Sequence, residues 1–169
     1  MKPDGRVLGL VTSGAGGAER WFRTGLAVPA VERGWRLAVT LTPTAARWLG
    51  EAGELDPLAE LTDLPVRWTS RLPSEPKPHP PPHCFVFAPA TANSVVKLAL
   101  GISDNQALTV LCEAMGLPDV PVIVQPQSNE AQRRHPAWVG HLATLRDAGV
   151  RVVPEGGPEP VLAELDRVG

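Results

Sequence analysis

Three short turns in this chain carry residues able to bind an anion, and each follows an apolar run and precedes a helical pattern. The first is Ser13-Gly-Ala-Gly-Gly-Ala18 after Arg6-Val-Leu-Gly-Leu-Val-Thr12, the second Thr42-Pro43 after Trp35-Arg-Leu-Ala-Val-Thr-Leu41, and the third Pro89-Ala-Thr-Ala-Asn-Ser94 after His83-Cys-Phe-Val-Phe-Ala88. Gly14, Ala15, Ala90 and Ala92 are small enough for a ligand to approach the backbone. Thr12, Ser13, Thr42, Thr91, Asn93 and Ser94 offer hydroxyls and an amide beside helix N-termini, whose free N–H groups attract negative charge. The same residues are also what ordinary strand-to-helix turns use as caps, so chemistry alone leaves both readings open.

The elements around these turns define a fold class. Strands alternate with helices along the whole length, which predicts an α/β three-layer sandwich with a parallel, flavodoxin- or Rossmann-like sheet and the turns at its carboxyl edge. After Pro89–Ser94 a helix carries Val95, Leu98, Ala99 and Ile102 inward; others are expected over 44–49, 108–117 and 138–149, and a first one carries Trp21, Phe22, Leu26 and Val31. Further strands are expected near Val66-Arg-Trp68, over Val120–Gln125 and over Val150–Val153, with short helical pieces between Gly50 and Pro65. Residues 72–83 hold six prolines among twelve residues, which forbids helix and central strand and predicts an extended connector.

Composition narrows the function. A chain of 169 residues with 43% hydrophobic content suits a single domain over 1–169, closed by a short helix over 158–168. A net charge of −2 with no long basic run argues against nucleic acid or an anionic membrane as partner. No apolar stretch approaches the roughly 20 residues of a membrane span, and the polar Met-Lys-Pro-Asp-Gly start is unlike a signal peptide, so a cytoplasmic protein is expected. Cys84 and Cys112 read as small core residues without metal-ligand spacing. A dinucleotide site is set aside because Glu19 takes the third glycine position and no acidic residue ends the second strand; the Walker pattern lacks its Gly-Lys-Ser/Thr.

The wording of the third turn is more specific. Pro89-Ala-Thr-Ala-Asn-Ser94 followed by Gly101-Ile-Ser-Asp-Asn105 resembles the Pro-Ala-Ser-Ala-Asn-Thr and Gly-x-x-Asp-Asn signatures of the homo-oligomeric flavin-containing cysteine decarboxylases, a family that includes phosphopantothenoylcysteine decarboxylase and the peptide aminovinyl-cysteine decarboxylases. The resemblance runs from about residue 6 to 155. It implies FMN as cofactor, held through Thr12, Ser13, Gly14, Ala15, Thr42 and the segment Pro89, Ala90, Thr91, Ala92, Asn93 and Ser94. It also implies a trimer or multiple of it with the flavin at a subunit interface, and oxidative decarboxylation of a small cysteine-like or peptide C-terminal substrate.

Departures from the family pattern leave alternatives open. Pro126, Asn129 and His135-Pro-Ala137 fall in register with the family's Pro-Ala-Met-Asn segment, while Gln127, Ser128, Gln132 and Arg133 replace its alanine, methionines and tryptophan. Asn129 is the implied carboxylate-binding residue, with a turn-capping role as the alternative. The family's active-site histidine would fall near Glu75; His79 is the candidate in its place, ahead of His83. The loop Pro154-Glu-Gly-Gly-Pro158 lacks the cysteine of the coenzyme A pathway enzymes, which disfavours that reaction. A flavin-binding carrier, sensor or subunit without decarboxylase activity is the second reading. A flavin prenyltransferase is the third, disfavoured by Asn93 where those enzymes use lysine.

Overall fold

The strands of this chain bury both of their faces, because successive side chains point to opposite sides and both sides are apolar. In the computed structural model, which describes residues 5–169, strand β1 (Val7–Thr12) is buried throughout. The polar start begins in Met1–Asp4, outside the described residues. Leu8 and Leu10 of β1 face one core together with Cys84, Val86 and Ala88 of β3 (Cys84–Thr91) and Ile123 of β4 (Val122–Gln127). Val11, Phe85, Phe87 and Val124 face the other. Gly9 lies beside Phe85, and a Cβ there would collide with the edge of the aromatic ring.

Completing the sheet are β2 (Arg36–Leu41) and β5 (Arg151–Val152), and all five strands run parallel in the order β2-β1-β3-β4-β5. The order reverses direction after β1, and that reversal opens a crevice at the carboxyl ends where α/β sheets bind ligands. The first core is covered by helix α1 (Ala18–Trp21), which continues through a π-helical stretch over Phe22–Ala27 into α2 (Val28–Glu32), and by α3 (Pro43–Glu51) and α4 (Leu55–Ala59). The second core is covered by α5 (Ala92–Leu100) and α6 (Gln106–Met115), and beyond the one-turn α7 (Glu130–Arg133) by α8 (Trp138–Asp147). The final helix, α9 (Glu159–Val168), returns to the first core with Val161 and Leu165, and its Asp166 pairs with Arg33 at 2.7 Å. This is the expected three-layer parallel sandwich. Among the described residues no helix is long and apolar enough to cross a membrane.

Several local expectations are corrected. Pro89-Ala-Thr91 is the end of β3 and not part of a turn; helix α5 starts immediately at Ala92, capped by the Thr91 hydroxyl. That helix stops at Leu100 because Gly101 takes a left-handed conformation (φ 73°), which leaves Ile102 41% exposed instead of inward. The expected strand near 66–68 is a single bridge, Arg67 to Thr40, since Pro65 and the proline-rich segment flank it. The last strand shrinks to Arg151–Val152 ahead of Pro154. Val31 of α2 is 37% exposed. Residues 72–83 form neither helix nor strand.

Candidate functional site

The carboxyl ends of β1, β2 and β3 are laced together by the polar residues that the sequence places there. Ser13 is 1% exposed: its N–H donates to the Pro89 carbonyl at 3.1 Å, its hydroxyl donates to the same oxygen at 3.0 Å, and its oxygen accepts the Thr91 N–H at 2.8 Å. Thr12 is fully buried, and its hydroxyl lies 3.4 Å from the Pro89 carbonyl oxygen. Thr42 donates its N–H to the Thr12 carbonyl at 3.1 Å, while its hydroxyl accepts the Ala45 N–H at 3.2 Å and so caps α3. Thr91 caps α5 in the same way, accepting the Ser94 N–H at 3.2 Å and donating to the Ser94 hydroxyl at 3.0 Å. These hydroxyls are therefore engaged within the chain. These contacts hold the three strand ends in fixed relation, and among the described residues the Thr42 hydroxyl keeps its own O–H free to donate.

What they leave open is backbone. The N–H groups of Gly14, Gly16 and Gly17 have no hydrogen-bond partner among the described residues. Gly14 packs so closely on Thr44 that a Cβ would collide with it, and Gly17 has φ 90°, a conformation side chains disfavour. Ala15, 5% exposed, is folded under this turn, and Gln127 at the end of β4 donates to the Gly16 carbonyl, tying the fourth strand to the same turn. The result is a cradle of amide donors over the sheet crevice, a surface that suits a phosphate.

On the α5 side, a groove of about 520 Å³ is lined by Ala92, Asn93, Val96, Asn129, His135 and Trp138, among others. The Asn93 side chain has no partner among the described residues and is exposed. Asn129 forms a reciprocal capping box with Gln132, each side-chain oxygen accepting the other's N–H at 2.9 Å. Its capping role is thus real, and its side-chain NH₂ is left over for the groove. Beside it, Glu155 accepts from the Ser128 hydroxyl at 2.7 Å and pairs with Arg133 at 3.3 Å, and buried Gln125 donates to the carbonyls of Pro154 and Gly157 at 2.8 and 2.7 Å. These contacts hold the 154–158 loop against the end of β4.

His79 lies elsewhere. Its Nε2 is 2.6 Å from the Pro65 carbonyl oxygen, and it lines a separate cavity with Arg67, Lys77, Gln106 and Glu113. Burial pushes its imidazole below the ordinary histidine value; the Pro65 hydrogen bond opposes the shift and Arg67 adds to it. Within one chain the structure brings Asn93 and Asn129 to one groove and leaves His79 outside it. Cys84 is no nucleophile, because burial pushes its thiol up to about 12. The sequence places Gln127 and His135 in the family's segment without assigning either a role in the site, and it marks Trp138 and His141 only as helix residues. The Gln-Pro-Gln alternation at the end of β4 was the available signal for Gln127, since strand period two puts Gln125 and Gln127 on one side.

A parallel sheet with phosphate-ready amides at its reversal point and an adjoining polar-rimmed apolar groove defines a nucleotide-cofactor protein of the flavodoxin-like class. The chain belongs to the Flavoprotein family, whose model matches residues 10–168. Among solved structures it is similar to the FMN-dependent cysteine decarboxylase TvaF from thioviridamide biosynthesis, at 27% identity and TM-score 0.77, covering 96% of this chain and 98% of that one. The FMN binding protein AtHal3 shares the fold at 21% identity and TM-score 0.63, over 90% of this chain and 81% of that one. A cysteine/cysteine sulfinic acid decarboxylase from an unknown prokaryotic organism is 35% identical over 75 residues, which are 44% of this chain. The match spans 20% of that relative's length.

Proposed function

We propose that the chain, as a single domain, binds FMN and uses it to decarboxylate, oxidatively, a cysteine-like or peptide C-terminal cysteine carboxylate. The observation that carries this reading is the meeting of Asn93 and Asn129 at one apolar groove, beside an amide cradle, in a chain whose fold matches an FMN-dependent cysteine decarboxylase over 96% of its length. The amides of Gly14, Gly16 and Gly17 and the start of α3 would hold the phosphate. Thr12, Ser13, Ala15 and Thr42 keep that cradle in shape. Ala92 lines the groove, Pro89, Ala90, Thr91 and Ser94 would support it from the end of β3 and the first turn of α5, and the free amide of Asn93 would meet the flavin's polar edge.

Bound FMN would accept the two electrons and two hydrogens lost when the cysteine side chain is oxidised. The chain's own residues orient the substrate: the Asn129 NH₂ holds the carboxylate, while Ala92, Val96 and Trp138 keep the reacting carbons out of water. We further propose a homotrimer, or a multiple of it, with the flavin at a subunit interface. The exposure of Val139 (73%) and Leu100 (59%) on the helices beside the groove supports this, and light scattering that finds a monodisperse monomer holding FMN would refute it.

Anaerobic mixing with a peptide ending in cysteine should bleach the flavin and lower the peptide mass by one carbon dioxide and two hydrogen atoms. Asn129→Ala should suppress both without releasing FMN. Full flavin occupancy with no bleaching by any thiol carboxylate would favour a flavin carrier or sensor instead. That second reading draws on the loss of the family's methionines at Ser128 and Gln132.

A further inference from the structure

We propose that His135 shares the substrate's carboxylate with Asn129, so that the donors fixed by the turn over 129–137 select a free C-terminal acid. The inference rests on the decarboxylase reading and names the residue that would set its substrate preference.

Donor polarity here is fixed by the turn itself. Asn129 and Gln132 spend their side-chain oxygens on each other's backbone N–H groups at 2.9 Å, so their NH₂ groups are what remains. His135 accepts the Ala137 N–H on Nδ1 at 3.1 Å, which in the neutral ring places the proton on Nε2 and makes that nitrogen a donor. Asn93 adds a side chain without a partner among the described residues. Among the described residues no Asp or Glu lines the groove to compete for these donors, and no Lys or Arg lines it to neutralise an anion. Ala92, Val96 and Trp138 supply apolar walls. A site of this kind fits an acceptor-only group at the end of a largely apolar body, which is a carboxylate. His141 also lines the groove, but nothing among the described residues fixes which of its ring nitrogens carries a proton. His135 is therefore the imidazole whose donor is set in advance.

The test is calorimetric binding, to FMN-loaded protein, of a short peptide ending in serine and of its C-terminal amide; serine removes the thiol and so prevents turnover. Wild type should prefer the acid. His135→Ala should weaken the acid by about 10- to 100-fold, the range for a hydrogen bond to a charged group, and leave the amide unchanged. His135→Gln, which keeps an N–H donor, should retain most of the preference, and His141→Ala should retain all of it. Equal losses for acid and amide in His135→Ala would show a merely structural role and overturn the inference, as would wild-type affinity in that variant or an effect confined to His141→Ala. Turnover of the cysteine-ended peptide by wild type separates the two levels. With turnover present and His135→Ala indifferent, only the inference falls. With no turnover and no acid preference, the decarboxylase reading falls with it. An acid preference that depends on His135, without turnover of any thiol peptide, would keep the inference and remove the reaction.

Discussion

Replacing Ser13 by alanine separates bracing from ligand binding. The Ser13 hydroxyl is buried and makes two hydrogen bonds, to the Pro89 carbonyl at 3.0 Å and from the Thr91 N–H at 2.8 Å. In the alanine variant the Pro89 oxygen keeps the Ser13 backbone N–H at 3.1 Å and remains satisfied. The Thr91 N–H loses its partner at the junction of β3 and α5, and a buried unsatisfied donor costs about 1–3 kcal/mol. In a domain of this size each kcal/mol moves the melting temperature by about 2–4 °C, so a loss near the middle of that range predicts a fall of about 4–8 °C. Thermal and urea unfolding of flavin-stripped protein at fixed concentration should show this, with a lower midpoint and an unchanged urea slope. Unchanged stability together with weakened FMN binding would refute the reasoning and make Ser13 a direct phosphate ligand.

Thr42→Val should destabilise the flavin-free protein by about 1 kcal/mol through loss of the α3 cap, read by urea unfolding. It should also weaken FMN, because the start of α3 is part of the cradle. Asn93→Ala should weaken FMN by about 1–3 kcal/mol in a fluorescence titration and leave the unfolding midpoint unchanged, since its side chain supports nothing else. For His79, burial lowers the folded pKa, so below the unfolded value of about 6.5 the unfolded chain binds the proton more readily. Its contribution to stability is full above that value and is lost as pH falls from there toward the lower folded pKa. His79→Gln should flatten stability across that window, and an unchanged pH profile would show that other groups produce it.

Much of the fold was legible because the strands are continuous apolar runs bounded by glycine, proline and hydroxyl residues. Those runs gave β1 through β4 and a parallel sheet, while the strand order came only with the structure. Boundaries were harder: Pro89 reads as a turn residue, yet it lies within β3, where a register irregularity between Phe87 and Ala90 accommodates it. Ile102 fits a helical period, and only the left-handed Gly101 places it outside the helix. At the site, residue types pointed correctly to three converging strand ends. They did not show that Thr12 and Ser13 turn their hydroxyls inward, because one set of atoms serves a cap, a brace or a ligand equally well until the neighbouring carbonyls are placed. The role of His135 was hidden for a related reason. Its donor polarity arises from the Ala137 N–H, a contact made by the turn and not by a pattern of residue types.

If this chain is built around FMN, the cofactor should come away with the purified protein. Denaturing freshly purified protein and identifying the released chromophore by absorbance and mass tests it most directly. FMN should be present in stoichiometric amount, or protein isolated without it should rapidly take up added FMN. A colourless protein that fails to bind added FMN would show that the cradle and groove serve another ligand.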